Sequence, residues 1–190
     1  MREPRTRADA VRNREAVLDA AEALFEREGP AEVSMNSVAA AAGVGKGTVF
    51  RAFTDRAGLL QALAERRTAP LREAIAEGAP PLGPGTPPRE RIPAVLDAVA
   101  GAKLDNRALY LALEETGSSS PYQAPSYAWM HATLRDGLEQ LTGTGRASYL
   151  AHVLLAAVRA DLITQLAGEE GLTAEEIRER LGAYVASVLP

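Results

Sequence analysis

Apolar positions recur along the chain at the three- and four-residue spacings of amphipathic helices, and the strict alternation of a strand is missing. Val17, Leu18, Ala21, Leu24 and Phe25 predict a first helix over 9–28, stopped by Gly29-Pro30. Ser34 is placed to cap a short second helix, 35–42, with Met35, Val38 and Ala39 inward. The AGVG at 42–45 predicts a tight turn. A third helix, 46–52, carries Val49 and Phe50, with Phe53 just beyond. Asp55 is placed to cap a fourth helix from Arg56, with Leu59, Leu60, Leu63, Leu71 and Ile75 on one side. Pro70 removes a backbone donor and crowds the Arg66 carbonyl, which predicts a kink or break near 66–70.

Residues 77–88, EGAPPLGPGTPP, read as a linker or loop by composition. Helices then resume over 90–103 (Ile92, Val95, Leu96, Val99) and 106–116 (Leu109, Tyr110, Leu113). After a loop at 117–126, another spans 127–142 on Met130, Leu134, Gly137, Leu138 and Leu141. The stretch 146–168 is apolar on more than one side, through Leu150, Val153, Leu154, Leu155, Val158, Leu162 and Leu166. It predicts one long helix covered on several faces. A last helix, 174–189, opens on the capping box Thr173-Ala-Glu-Glu176 and carries Ile177, Leu181, Tyr184, Val185 and Val188. The expected class is therefore all-α.

Composition narrows the chemistry. With 46% hydrophobic residues in 190, the chain can bury a core. The absence of cysteine excludes disulfides, zinc-thiolate sites and thiol nucleophiles. His131 and His152 stand outside any HExxH spacing, so no metal or cofactor is expected. Ser118, Ser119 and Ser120 lack a G-x-S-x-G elbow and GPG at 83–85 lacks GK[ST], so no enzyme constellation emerges. The charged start has no apolar h-region, and no stretch reaches about 18 uncharged apolar residues, pointing to the cytoplasm and away from membranes.

Net charge is −4, yet positive charge is local. Residues 1–14 carry +3 and residues 43–56 carry +2, against −4 over 57–190. The second patch coincides with 34–53, SMNSVAAAAGVGKGTVFRAF, two short helices around a glycine turn. Ala39 permits a close crossing, Gly43 supplies positive φ, and Val49 and Phe53 face inward beside Val38 and Phe25. That leaves Lys46, Gly47, Thr48, Arg51 and Ala52 outward, a helix face slim enough for a major groove, with Lys46 and Arg51 in reach of guanine edges or phosphate.

Through REAVLDAAEALFEREG and SMNSVAAAAGVGKGTVFRAFTDRAGLLQAL, residues 11–65 resemble the TetR/AcrR family of one-component transcriptional regulators. The resemblance implies a three-helix helix-turn-helix DNA-binding domain over 1–55 and a helical effector-binding and dimerisation domain over 56–190. It implies that Ser34 meets phosphate, that Asn36 and Ser37 face the groove, that Lys46 reads a base, and that Gly47 and Thr48 follow, with Thr48 on phosphate or a thymine methyl. Arg56 takes the place of the lysine that grips phosphate. The family tyrosine is Phe50 here, which loses a hydroxyl–phosphate bond while its packing is expected to survive, and Ala52 removes another backbone contact. Affinity is then expected to lean on Arg51, Arg56 and the N-terminal arginines and to be salt-dependent.

Beyond residue 80 no motif carries over. Leu155, Leu162, Ile177, Leu181, Tyr184, Val185 and Val188 are expected to build a two-fold homodimer, which a palindromic double-stranded operator requires. Tyr110, Glu114, Tyr127, Trp129, Met130 and Arg159 are candidates for a pocket holding a small apolar or aromatic effector. The function expected is a repressor released by that effector. The competing reading is a helical ligand-binding or adaptor protein without DNA binding.

Overall fold

The computed structural model describes residues 3–116, 122 and 124–190, with the side chains of 3–8 and Glu114 outside that description. All regular structure among the described residues is helical. Helix α1 spans Glu3–Glu28 and ends at Gly29, whose φ of 84° leads into a 3-10 turn, Pro30–Glu32. Helices α2 (Met35–Ala41) and α3 (Lys46–Phe53) follow around Gly43 at φ 65°. Then come α4 (Arg56–Glu77), α5 (Pro88–Asp105), α6 (Arg107–Glu115), α7 (Pro125–Thr142), α8 (Thr144–Ala157), α9 (Ala160–Gly168) and α10 (Ala174–Val188).

Packing divides the chain into two compact units, Met1–Arg67 with Ala108–Ser118, and Thr68–Arg107 with Ser119–Pro190. The first thus reaches well past residue 55, because its core needs the head of α4. Val17, Leu18, Ala21 and Leu24 of α1 bury with Val38, Val49 and Phe53 and with Leu59, Leu60 and Leu63, and Leu109 and Ala112 of α6 join them. In the second unit Ile75, Ile92, Val95, Leu96, Leu134, Leu138, Leu154, Leu155 and Ile163 form the core, closed by Leu181 and Val185.

Three sequence expectations change. Helix α1 begins at Glu3 rather than near residue 9, which continues the helix into the arginine-rich start. Helix α4 does not break at 66–70: it runs through Pro70, which is exposed. The stretch 146–168 is two helices, interrupted at Val158 and Arg159. Val158 leaves helical geometry, and Lys103 Nζ of α5 donates to its carbonyl at 2.5 Å, while Arg159 caps α9. Residues 144–168 have the length and mean hydropathy, 1.4, of a membrane span, but they form two helices interrupted at Val158 and Arg159, with Leu154, Leu155 and Ile163 buried in the second unit.

The proline-rich segment after α4 is packed rather than free. The Arg91 guanidinium donates to the Ile75 and Leu82 carbonyls at 2.7 and 2.8 Å. A Cβ at buried Gly83 would meet the Gly78 oxygen at 1.6 Å, so only glycine fits there. The loop expected over 117–126 falls mostly outside the described residues.

Candidate nucleic-acid interface

The α2–α3 pair is assembled by local rules. Ser34 Oγ accepts from the Ser37 N–H at 3.1 Å, and Ser37 Oγ accepts from the Ser34 N–H at 3.0 Å, a reciprocal cap for the first turn of α2. The Ser37 hydroxyl also donates to the Glu32 carbonyl at 2.5 Å. Both serines, expected at the DNA, are half-buried and serve their own helix, whereas Asn36 between them is exposed.

Helix α3 turns Val49 and Phe53 into the core and leaves Lys46, Gly47, Phe50 and Arg51 exposed, with Thr48 and Ala52 half-buried at the margins. At 3.6 residues per turn the four exposed positions cover an arc of about 140°. Phe50 corrects an expectation: its ring is 48% exposed and lies on the outward arc rather than in the packing.

Two arginines expected to serve DNA are turned into the fold. Arg56 Nε donates to the Val33 carbonyl at 2.8 Å and a terminal nitrogen to the Pro30 carbonyl at 2.7 Å. Its guanidinium fork holds the chain entering α2 to the head of α4. The phosphate grip expected of Arg56 is not what its side chain does in this structure. Arg14 of α1 donates to the Ala52 carbonyl at 3.0 Å, with its guanidinium carbon 4.4 Å from the centre of the Phe53 ring. It fixes the C-terminal end of α3. Both carry a signal in sequence: Arg14 lies three, four and seven residues before Val17, Leu18 and Ala21, and Arg56 the same distances before Leu59, Leu60 and Leu63. Each therefore heads a buried stripe rather than a solvated face.

The candidate pocket residues distribute over both units. Tyr110 belongs to the first, half-buried, its phenol pushed up by loss of hydration. Tyr127, Trp129, Met130 and Arg159 belong to the second, and Glu114's side chain lies outside the described residues. Arg159 is paired: Nε donates to Asp161 Oδ1 at 2.9 Å and a terminal nitrogen to Oδ2 at 2.5 Å. That hydrogen bond is the main cause holding the Asp161 carboxyl below the usual range. The Arg72 guanidinium lies 5.0 Å over the Trp129 ring.

The structure adds His152 of α8 to the aromatic candidates around Tyr127. Tyr127 Oη lies 2.6 Å from His152 Nδ1, the His131 and His152 rings are 4.0 Å apart, and Tyr122 meets Tyr127 edge-on at 5.0 Å. Loss of hydration, then the neighbouring His131, holds the His152 imidazole below its ordinary range. A cavity of about 50 Å³ beside Arg91, Thr133 and Gln140 is lined by Thr86, whose buried hydroxyl has no protein partner. Its size and polarity suit water.

The expected dimer residues split by burial. Leu155, Ile177, Leu181 and Val185 are buried in the chain's own fold, Val188 is half-buried, and Leu162 and Tyr184 are 40% and 37% exposed. Leu155, Leu181 and Val185 belong to the core of the second unit, so they are not a face left open for a partner.

Residues 17–63 match the family model described as bacterial regulatory proteins, tetR family. An HTH-type transcriptional regulator of Staphylococcus aureus (strain bovine RF122 / ET3-1) is 42% identical over 53 residues, 28% of this chain and 29% of that protein. The chain thus spans less than a third of the length of that curated relative. Across the whole length the fold is like that of a TetR-family transcriptional regulator from Pectobacterium atrosepticum, with TM-score 0.69 and 22% identity over 96% of this chain and 95% of that one. A transcriptional regulator from Saccharomonospora viridis solved in complex with choline gives TM-score 0.55 and 22% identity over 93% and 96%. Residues 17–63 are thus similar to the tetR family of regulatory proteins, and the fold over most of the chain is like that of a solved TetR-family regulator.

Proposed function

We propose that the chain is a homodimeric transcriptional regulator of the cytoplasm, a repressor that α2 and α3 seat on a palindromic operator and that a small molecule bound in the second unit releases. In this division of labour residues 1–55 read DNA and 56–190 bind effector and partner. The observation that carries it is the outward arc of α3, which presents Lys46, Gly47, Phe50 and Arg51 above a buried Val49 and Phe53. A cationic helix face with a glycine in its middle suits the major groove. For the effector, the support is the choline complex of the Saccharomonospora relative, and Tyr127, Trp129 and Met130 remain the aromatic and apolar residues of the second unit to test. For the dimer, Leu162 and Tyr184 take the lead from the buried residues.

Fluorescence anisotropy on duplexes from DNA upstream of the gene tests this. Binding is expected with a steep salt dependence. Lys46→Ala should cost about 1–3 kcal/mol and relax specificity at one position per half-site. Arg51→Ala should weaken every sequence and reduce the salt slope by about 0.9. A folded chain with no affinity above that for unrelated DNA would instead make it a helical ligand-binding or adaptor protein, a reading favoured by the inward turn of Arg56 and the missing hydroxyl at Phe50.

A further inference from the structure

We infer that Phe50 is a base-reading residue, whose ring meets the 5-methyl group of a thymine at one position in each half-site. This rests on the DNA-binding reading above and adds a sequence preference to it.

Phe50 is 48% exposed on a helix whose other large apolar residues, Val49 and Phe53, are buried. On the helical wheel it stands about 40° from Lys46, about 60° from Gly47 and about 100° from Arg51, within the cationic arc. Whatever Lys46 and Arg51 approach, the phenyl ring approaches too. Two cations on one face select a polyanion, and a duplex is the polyanion a helix of this width enters.

The chemistry of the ring then fixes what it can read. It has no donor or acceptor, so it cannot bond a phosphate oxygen, guanine O6 or N7, adenine N6 or N7, or cytosine N4. The apolar feature on the major-groove edge of the bases is the thymine methyl. Gly47 bears on whether the ring can get there. A Cβ built at Gly47 meets nothing within 4 Å, so no packing inside the chain demands glycine at that position. Its bare backbone lets α3 sit deeper in the groove than a side chain would allow, and brings the neighbouring ring to the base edges.

The test begins with the duplex that the wild-type chain enriches from a random-sequence pool. Each thymine is replaced in turn by uracil, which removes the methyl group and nothing else from the groove. One position per half-site should lose roughly three- to tenfold in affinity, the scale of one methyl group taken out of an apolar contact. Phe50→Ala should lose a similar factor on the thymine duplex and become indifferent to uracil at that position alone, while Phe50→Tyr, which keeps the ring, stays sensitive. Because the ring is exposed, Phe50→Ala should melt like the parent, which separates lost contact from lost fold. A duplex with no uracil-sensitive thymine overturns the inference, as does a Phe50→Ala chain that still discriminates at the same position. A chain that enriches no duplex overturns the DNA-binding reading and this inference with it.

Discussion

The polar side chains that shape the α2–α3 head and several of those in the second unit find their partners over different distances in sequence. In the first, the pieces that shape the reading head are close neighbours: Ser34 caps with Ser37 three residues on, Asp55 with Gly58, and Gly43 turns one helix into the next. In the second, Tyr127 finds His152 25 residues away, Lys103 finds the Val158 carbonyl 55 away and Arg178 finds Asp97 81 away. Local pairs are legible as spacing, because helix geometry alone brings them together. Distant pairs depend on how helices pack, which spacing does not state. The contrast also runs inside the first unit. Its helices follow from local spacing, yet Arg14 and Arg56 bind carbonyls 38 and up to 26 residues away, which spacing alone does not state.

The sharpest way to break the comparison is to place a charge where sequence and structure disagree. Val185→Asp would separate monomers if Val185 faced a partner. Because it is 1% exposed, the substitution should instead cost at least about 4 kcal/mol and unfold the second unit, seen as a lost or biphasic thermal transition. Tyr184→Asp, on the exposed side of the same helix, should leave stability within about 0.5 kcal/mol, and sedimentation then reports whether that face joins two copies. A Val185→Asp chain that melts like the parent and sediments as a monomer would return Val185 to the interface.

Arg56 tests the same point in the first unit. Arg56→Ala removes two charge-assisted hydrogen bonds from a half-buried fork and should cost about 2 kcal/mol of stability. Arg56→Lys should recover little of it, since an ammonium cannot reproduce the fork. Neither should change the salt slope of DNA binding. Full rescue by lysine, together with a slope flattened by about 0.9 in Arg56→Ala, would restore the phosphate assignment.

The two capping boxes allow a matched measurement. Ser34→Ala and Thr173→Ala each remove a side-chain acceptor from a helix start and should each cost about 1 kcal/mol in denaturant unfolding. If Ser34→Ala also weakens DNA binding beyond what unfolding explains, its hydroxyl serves phosphate as well as the cap.

The smallest effect concerns pH. His152 titrates lower in the fold than in the unfolded chain, so between those two values the unfolded chain binds more protons. The second unit should therefore lose stability as pH falls below about 6.5 and show no contribution from this group above it. His131→Phe removes the secondary cause, so an imidazole NMR titration should move His152 part of the way back up, with loss of hydration still holding it low. A His152 midpoint unmoved in that variant would place the whole effect in hydration.

What the sequence by itself determined follows from helix periodicity and short-range chemistry: an all-helical chain, the caps at Ser34 and Thr173, the turn at Gly43, the inward Val49 and Phe53 and the outward Lys46 and Arg51. Each of these is set within a turn or two of its own residue. Tertiary structure decided the rest. It split 146–168 where Lys103 takes a carbonyl, drew Leu155, Leu181 and Val185 into the core of their own unit, and tied Arg14 and Arg56 to backbone carbonyls. An apolar stripe states that a face must be covered and leaves the covering surface open, whether the same chain or a second copy. An arginine has five donors to satisfy, and carbonyls left over at a helix end compete for them with phosphate. Which partner it meets is fixed only when the helices have packed.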